Sequence, residues 1–567
     1  MYLKTRKKLK MALQEDTIGQ TRFITTEDLA PKDHICNLVV AIVKEIDVSD
    51  VEEKYVGTPG SPAYSRKMLL RLLVQASIDG IWASRDIDKL ARENFIYVYL
   101  TGNKKPDFRT ICLFRKDNKE LIERTFKKVV AVAHGLGILN LGHLSTDGTK
   151  IKANASNNHV LSKEDIEWIK EIIEKGIKVD EEEDKLYGDR RGDELPQELN
   201  NPETLKKKVQ EKIKELEKSK GKKLRSAGKK LVEKHATGNE KQKEKIKEKL
   251  EKMSEEIEKS GQKAVSVTDP EARFMENKKD RKELSFNPQI TVDHGSGIIL
   301  ANEVTQDCTD HYQLEPQIEM TEENVGKLPE GTKISDDNGY FNGPNLQYLE
   351  KKKLDGYIPD SKQAQEMKNK KLKDNPYSKD KFEYDEKRDC FICPQGELLG
   401  RKGEYNYNGR VQYTYYGANC GKCPVRSECA GESKMKMITS NGYEAERRRM
   451  KLKMLSENGK EEYKTRGQWA EWPYGDIKQN LNFREFLTRG VKTVGIEFNL
   501  VCISHNMRVM WNKLGRNTDI LVKIADLSAK SIIKSGKFLV SYLESVKNYI
   551  FLEKLGFKGY IESNYKI

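Results

Sequence analysis

Between residues 203 and 260 the chain carries 20 lysines and arginines against 12 glutamates, and this stretch constrains the fold more than any other. Its apolar residues are few and fall at helical intervals: Leu205, Val209, Ile213 and Leu216, then Ile246, Leu250, Met253 and Ile257. So little apolar surface cannot feed a large core. The segment reads as a charged helical hairpin with a narrow apolar stripe, broken near Ser226–Gly228 and Gly238. It holds more than half of the formal net charge of +14. One reading is a solvated pair of helices. The other is a DNA-binding arm, because lysine-rich surfaces gain affinity by releasing phosphate counterions.

Any folded core must be built from the sequence on either side. With 567 residues, 36% of them hydrophobic, there is material for several domains. No run of 18 apolar residues exists, so no membrane span is expected. The basic N-terminus, MYLKTRKKLK, is not followed by an apolar stretch, which argues against a secretion signal and for a cytoplasmic protein.

Five cysteines fall within forty residues: Cys390, Cys393, Cys420, Cys423 and Cys429. Two Cys-x-x-Cys pairs separated by 26 residues suit a structural zinc ion held by opposed turns. A disulfide framework is the weaker alternative without a secretion signal. Four places and five candidates leave one spare, either Cys390 or Cys429, and the preferred zinc ligands are Cys393, Cys420, Cys423 and Cys429, with Cys390 as the alternative. Cys36, Cys112, Cys308 and Cys502 lie in apolar or helical contexts and read as core or incidental residues.

Before the charged segment, an amphipathic helix is expected around Cys36–Ile46. A run of helices then follows over residues 61–135, with Pro62 at a helix start, Gly80 at a helix end, and Ser84 and Asp107 as caps. Arg85, Arg92, Arg109 and Arg115 fall near helix starts or exposed faces. The run reads as a helix-turn-helix-like DNA reader or a dimerisation module. From residue 142 the pattern changes to short strands. "GHLSTDGTKIKANAS" is a strand into an Asp-Gly turn and out, and "NPQITVDHGSGIILANEVTQ" is a β-hairpin. "YQLEPQIEMTEENV" is helical. "GTKISDDNGYFNGPNLQYLEKKK" is a strand, an acidic turn and a helix, and "LDGYIPD" is another strand. This is a mixed α/β layout. Asp147 and Asp336 or Asp337 stand at strand ends, where a carboxylate can be a metal ligand or a simple turn former. Asp293 is the chief rival carboxylate. His294 and His311 read as hairpin or cap residues.

The third acidic element is "EEYKTRGQWAEWPYGDIKQNLNF". Glu471 and Lys478 are seven residues apart and align within about 20° on a helix. Pro473 then demands a helix that starts at or just after Glu471, with the proline in its first turn.

Taken together, these motifs resemble the insertion-sequence transposases of bacteria and archaea that carry a DDE triad on an RNase H-like fold. "SPAYSRKMLLRLLVQASIDGIWASRDIDKLAREN" through "PDFRTICLFRKDN" resembles their N-terminal helical domain. "STDGTKIKANAS" resembles the segment of the first Asp, here Asp147. "SDDNGYFNGPNL" resembles the Asp-x-Gly-Tyr segment, which aligns on Asp337 rather than Asp336. "YKTRGQWAEWPYGDIK" resembles the Tyr-x2-Arg…Glu-x6-Lys signature, with Glu471 as third carboxylate. "FLTRGVKTVGIEFNLVCISHN" resembles the C-terminal helix, and "LYGDRRGDELP" and the cysteine segment have counterparts too. The sequence departs in having Trp469, Trp472 and Pro473 around Glu471, where the family commonly has smaller residues, Val and Phe-Gly.

The resemblance implies an α/β chain with these parts: an N-terminal lead-in segment (1–60), a helical, DNA-binding domain (61–135), the first part of an RNase H-like core (136–160), a charged helical insertion (161–264), the core continued (265–374), a cysteine-rich zinc-binding insertion (375–440), the part of the core bearing the catalytic Glu (441–515) and a C-terminal helical tail (516–567). It implies a transposase that cuts DNA at element ends and transfers the strands into target DNA. Asp147, Asp337 and Glu471 would hold two Mg²⁺ or Mn²⁺ ions, since hard cations prefer carboxylate oxygens. Tyr463, Arg466 and Lys478 would contact DNA phosphates near the cut, with a surface ion-pair role as the alternative. The implied partners are double-stranded DNA and a second copy of the chain, with no membrane, at the nucleoid. The alternatives are a non-catalytic zinc-containing DNA-binding protein and an RNase H-like nuclease without strand transfer.

Overall fold

In the computed structural model, residues 25–55, 62–187, 201–277, 281–368, 375–407, 409–517, 521, 523 and 524 are described. The first part of the lead-in segment, most of "LYGDRRGDELP" and nearly all of the C-terminal tail lie outside them. Seven helices precede the first strand among the described residues: α1 (Cys36–Lys44), α2 (Ser49–Glu52), α3 (Arg66–Ile78), α4 (Ser84–Glu93), α5 (Phe95–Thr101), α6 (Phe108–Asp117) and α7 (Lys119–Gly135). Asp107 caps α6 as expected, accepting from the Thr110 amide at 2.7 Å. Ser84 does not cap α4. Its hydroxyl accepts from the guanidinium of Arg115 at 3.0 Å instead. Arg115, expected near an exposed face, is buried and also donates to the Trp82 carbonyl at 2.9 Å. Helix α3 starts at Arg66 rather than at Pro62.

The sheet that follows has an antiparallel half and a parallel half. Its strands are β1 (His143–Gly148), β2 (Ile151–Lys152), β5 (Arg273–Glu276), β6 (Lys282–Asp293), β7 (Ile299–Thr305), β8 (Lys333–Ser335) and β9 (Asp355–Tyr357). The long strand β6 pairs antiparallel with β1 and β7, and its first half also with β2 and β5. On the other side β1 runs parallel to β8, and β8 parallel to β9. Parallel neighbours need crossovers. These are supplied by α12 (Leu314–Val325) and α13 (Gly343–Lys352). Asp147 and Gly148, expected in a turn, lie within β1 opposite Ile290 and Gln289. The pairing with β6 carries the strand past the Asp-Gly dipeptide that local turn chemistry would have bent.

The segment between β3 (Val160–Ser162) and β4 (Ala264–Ser266) leaves through a two-stranded neck. Among the described residues it is not a hairpin but four helices: α8 (Lys163–Tyr187), α9 (Pro202–Lys220), α10 (Ser226–Ala236) and α11 (Glu240–Ser260). The expected breaks fall at 221–225, just before Ser226, and at 237–239; Ser226–Gly228 itself is the first turn of α10, with Ala227 and Gly228 buried. The narrow stripes of the charged helices meet Ile166, Trp168 and Ile169 of α8, giving a core separate from that of the sheet. Four faces pooled in this way bury what two could not.

After α14 (Ser361–Met367) comes a five-stranded antiparallel meander in sequence order: β10 (Glu383–Asp385), β11 (Cys390–Ile392), β12 (Leu398–Tyr407), β13 (Arg410–Gly417) and β14 (Met437–Ser440). A short helix α15 (Arg426–Ala430) lies between β13 and β14. Its small core is Phe382, Phe391, Leu399, Tyr415 and Ile438. The chain then returns through α16 (Glu444–Leu455), α17 (Glu457–Lys464), α18 (Arg466–Ala470) and α19 (Trp472–Gln479) to α20 (Val491–Lys513). Helix α20 packs on α3, α7 and β7, so the N-terminal helices and the sheet share one hydrophobic core. The Asn506 amide group pairs with both the N–H and the carbonyl of Ile299, each at 2.8 Å, closing the edge strand β7. No helix among the described residues is long and apolar enough to cross a membrane.

Separate cores imply separable stability. Met253→Ala, at the centre of the four-helix insertion, is expected to cost about 2–5 kcal/mol there. Native-state hydrogen exchange should show lost protection in α10 and α11 and none in β6 and β7. Equal loss in both regions would show that the insertion is not a unit of its own.

Candidate active site and cysteine cluster

In the parallel pair β1–β8, Leu144 stands opposite Ile334. Asp147 and Asp337 each follow three residues later, so both acids emerge at the carboxyl ends of neighbouring strands. Asp147 is on the last turn of pleat in β1. Asp337 opens a short 3-10 helix (Asn338–Tyr340) and accepts from the Gly339 amide at 2.8 Å. Asp336, between them in the fold, is fully buried and accepts from the Thr146 amide at 2.6 Å. Its other carboxylate oxygen is buried without a hydrogen bond.

Arg466, the first residue of α18, enters this cluster from the far end of the chain. Its guanidinium lies 3.0 Å from Asp147 Oδ1, and the side chain is almost entirely buried. Burial works against its charge, but Asp147 and Asp337, with Tyr463 and Asp336, outweigh this and raise its pKa. Burial also pushes the Tyr463 hydroxyl up, with Arg466 opposing. Burial raises the Asp336 carboxyl to about 8, against the pull of the Thr146 hydrogen bond and Arg466. Asp336 is therefore a neutral acid at neutral pH and adds no charge to the cluster.

Helix α19 begins at Trp472 with Pro473 in its first turn and Glu471 at the cap position, as the proline required. Glu471 is exposed. Three and seven residues on, Tyr474 and Lys478 fall on the same helical face. The Tyr474 hydroxyl lies 2.8 Å from the Asp147 carbonyl and 2.9 Å from that of Pro288, and Lys478 donates to Thr149 Oγ1 at 2.7 Å. The face that carries Glu471 is thus turned to the end of β1. Elsewhere on α19, the buried Asp476 bonds His505 at 2.8 Å, which fixes α19 to α20.

The structure brings Asp147, Asp337, Arg466 and Tyr463 together and docks Lys478 beside them at Thr149. It does not draw the three predicted carboxylates into an ion-binding set, and no group of three or more His, Cys, Asp or Glu side chains among the described residues is arranged to hold a metal ion. Arg466 supplies the positive charge between the acids. Asp293, the rival carboxylate, is a buried brace at the other end of β1: it accepts from the Leu141 amide at 2.7 Å, the Asn140 amide at 3.2 Å and the Ser296 hydroxyl. His294 stacks on His143 at 3.9 Å and bonds Ser145 at 2.8 Å. Burial lowers His143 to about 4 and His294 to about 3, so both are neutral packing groups. Sequence reasoning missed Tyr474, whose only signal was its i+3 spacing from Glu471. It also missed the roles of Thr149 and Asp336.

Four cysteines, Cys393, Cys420, Cys423 and Cys429, line one cavity of about 30 Å³. Backbone amides approach two of the sulfurs: Glu397 N lies 3.3 Å from Cys393 Sγ, and Lys436 N lies 3.5 Å from Cys420 Sγ. Burial pushes the Cys429 thiol up. Cys390 is not part of the lining. It is buried in β11, one residue from Phe391, and strand alternation turns it to the opposite face from that core residue.

Residues 24–117 match a family described as "Transposase domain (DUF772)", and residues 392–511 match one described as "Transposase DDE domain". The second match contains Tyr463, Arg466, Glu471 and Lys478, whereas Asp147 and Asp337 lie outside both. No curated protein matches the chain.

The folded Asp336 holds its proton up to about pH 8, while its ordinary value is 3.8. Between those values the native state binds a proton that the unfolded chain has released, so stability falls as pH rises through the window. Asp336→Asn keeps an acceptor for the Thr146 amide and removes the titration. The variant's melting temperature relative to wild type should therefore be higher at about pH 8 than at about pH 5. A gap that stays constant, or shrinks with pH, contradicts the assignment.

Proposed function

The chain being an insertion-sequence transposase of the DDE type, we propose that it cuts DNA at the ends of its element and joins the freed strands to target DNA at the Asp147–Asp337–Glu471 site. The observation that carries this is the meeting of Arg466 with Asp147 and Asp337 at the carboxyl ends of two parallel strands. An RNase H-like reading of the core is supported by the mixed sheet, with its hairpin β6–β7 on one side of β1 and two parallel strands on the other.

Transposases of this class work with divalent ions. Two Mg²⁺ or Mn²⁺ would supply a polarised water and neutralise charge on the phosphoryl group. The donor set suits hard cations, because Asp147, Asp337 and Glu471 are all carboxylates. Asp147, Asp337 and Glu471 would hold the ions. Arg466 pairs with Asp147 and orients its carboxylate until they bind. Tyr474 ties α19 to the backbone of β1, so that Glu471 stays on the side of the acids. Lys478 at Thr149, with Arg466 and Tyr463, meets the phosphates flanking the cut. The partner is double-stranded DNA, which puts the protein at the nucleoid. A homodimer would bring two ends together, and the lysine-rich insertion offers an electrostatic arm for flanking DNA.

The four thiols around one cavity, two of them met by backbone amides, fit a structural zinc ion that would lock the meander between β11 and β14.

With DNA carrying the element ends and Mg²⁺ or Mn²⁺, purified protein should give both cleaved and joined products. Asp147→Asn, Asp337→Asn and Glu471→Gln should each fall to background while still binding the DNA. Full activity in any of the three removes that residue from the site. Cleavage without joining points to a nuclease, and binding without cleavage to a non-catalytic DNA-binding protein.

Metal content should come to about one zinc per chain. It should be lost in Cys423→Ser and kept in Cys390→Ser. Zinc retained by Cys423→Ser contradicts the ligand set.

A further inference from the structure

Next to the acidic cluster is a groove that the proposed chemistry leaves unused. It has a volume of about 820 Å³ and lies between the loop at His311–Tyr312, the start of α13, and strand β13 of the cysteine-rich meander. The rings of Tyr312, Phe341, Tyr413 and Tyr443 and the guanidinium groups of Arg410 and Arg447 line it. No described lining residue is Asp or Glu. Arg410 reaches the Tyr312 hydroxyl and sits 5.6 Å from that ring's centre. Arg447 sits 5.5 Å from the centre of Phe341. Neither arginine has a carboxylate partner among the described residues.

One wall is built rigidly. Asn342 caps α13 by accepting from the Asn345 amide at 3.0 Å, and both asparagine side chains donate to the His311 carbonyl, at 2.5 and 2.9 Å. A Cβ on Gly343 would collide with the Tyr443 side chain, so Tyr443 packs directly on the helix start. The wall is continuous with the site: Asp337 opens the 3-10 turn that leads directly into Phe341 and Asn342.

Preplaced rings offer faces for stacking, and duplex DNA keeps its base faces covered. Two guanidinium groups with no acid beside them suit phosphates. Grooves that combine the two bind single strands. An aromatic groove for a peptide has no need of two unpaired cations at its wall. We propose that this groove binds unpaired DNA, with bases stacked on the rings and phosphates on Arg410 and Arg447. The proposal rests on the transposase reading, in which a cut beside Asp337 frees a stretch of single strand.

The test is fluorescence anisotropy with the full chain and no added divalent metal, using a labelled oligothymidine and a blunt duplex of equal length. Wild type should bind the oligothymidine. The double variant Arg410→Ala/Arg447→Ala should bind it about tenfold or more weakly, and Tyr312→Ala about fivefold or more weakly. Tyr312 is half exposed, so its loss leaves the core intact. Duplex affinity should stay within about twofold throughout. Three results overturn the proposal: no oligothymidine binding by wild type, unchanged binding by the variants, or equal losses on single strand and duplex. Inactivity in the cleavage assay with groove binding intact would sink the catalytic reading alone, whereas active protein with indifferent groove variants would sink only the groove.

Discussion

A buried guanidinium must be paired, and the partner of Arg466 is Asp147, 319 residues earlier in the chain. That one requirement binds the two ends of the core. Between the two residues the chain leaves the sheet twice, once for the four-helix insertion and once for the cysteine-rich meander. The ion pair, with the Tyr474 and Lys478 bonds to the end of β1, brings α18 and α19 back to the strand they left. Removing either charge would strand the other in a nearly dry site. The same contact thus serves folding and the site's charge balance.

The core tolerates such long excursions because each excursion brings its own interior. The insertion buries its apolar residues in a core of its own, and the meander does so around Phe391 and Tyr415. Loop-closure cost rises slowly with length, so the sheet loses little by having its strands far apart in sequence. What the sheet requires is a fixed return address. The short neck β3–β4 gives one, and the helices after β14 give the other.

Much of this layout could be read from the sequence. Strands β1, β6, β7, β8 and β9, the crossover helices and the acids at strand ends followed from local periodicity, and Pro473 alone dictated where α19 starts; the strands of the cysteine-rich meander were not read. Failures came where distant partners overrode local preference. Asp147–Gly148 reads as a turn, but pairing with Ile290 and Gln289 keeps it in the strand. Ser84 reads as a cap, yet Arg115, 31 residues later, claims its hydroxyl. The hairpin became four helices because α8, outside the charged window, supplies the missing apolar face. The cavity takes the four preferred cysteines and leaves out Cys390, which strand β11 turns to its other face; spacing left the spare between Cys390 and Cys429.

The aromatic residues around Glu471 look out of place in the sequence, and packing accounts for them. Trp472 lies against Gly297, where a Cβ would enter its ring, and edge-on to His505 at 5.2 Å. Trp469 lies over His294 at 6.0 Å, which in turn stacks on His143 beneath the start of β1. Gly297 has a φ of +75°, so the tight turn between β6 and β7 and the close approach of the indole demand the same residue. The two tryptophans clamp the α18–α19 junction onto that turn from one side, and Tyr474 clamps it onto β1 from the other. A carboxylate at the junction is exposed, yet its backbone is held at both flanks. That combination fixes the start of α19 and leaves the Glu471 side chain exposed.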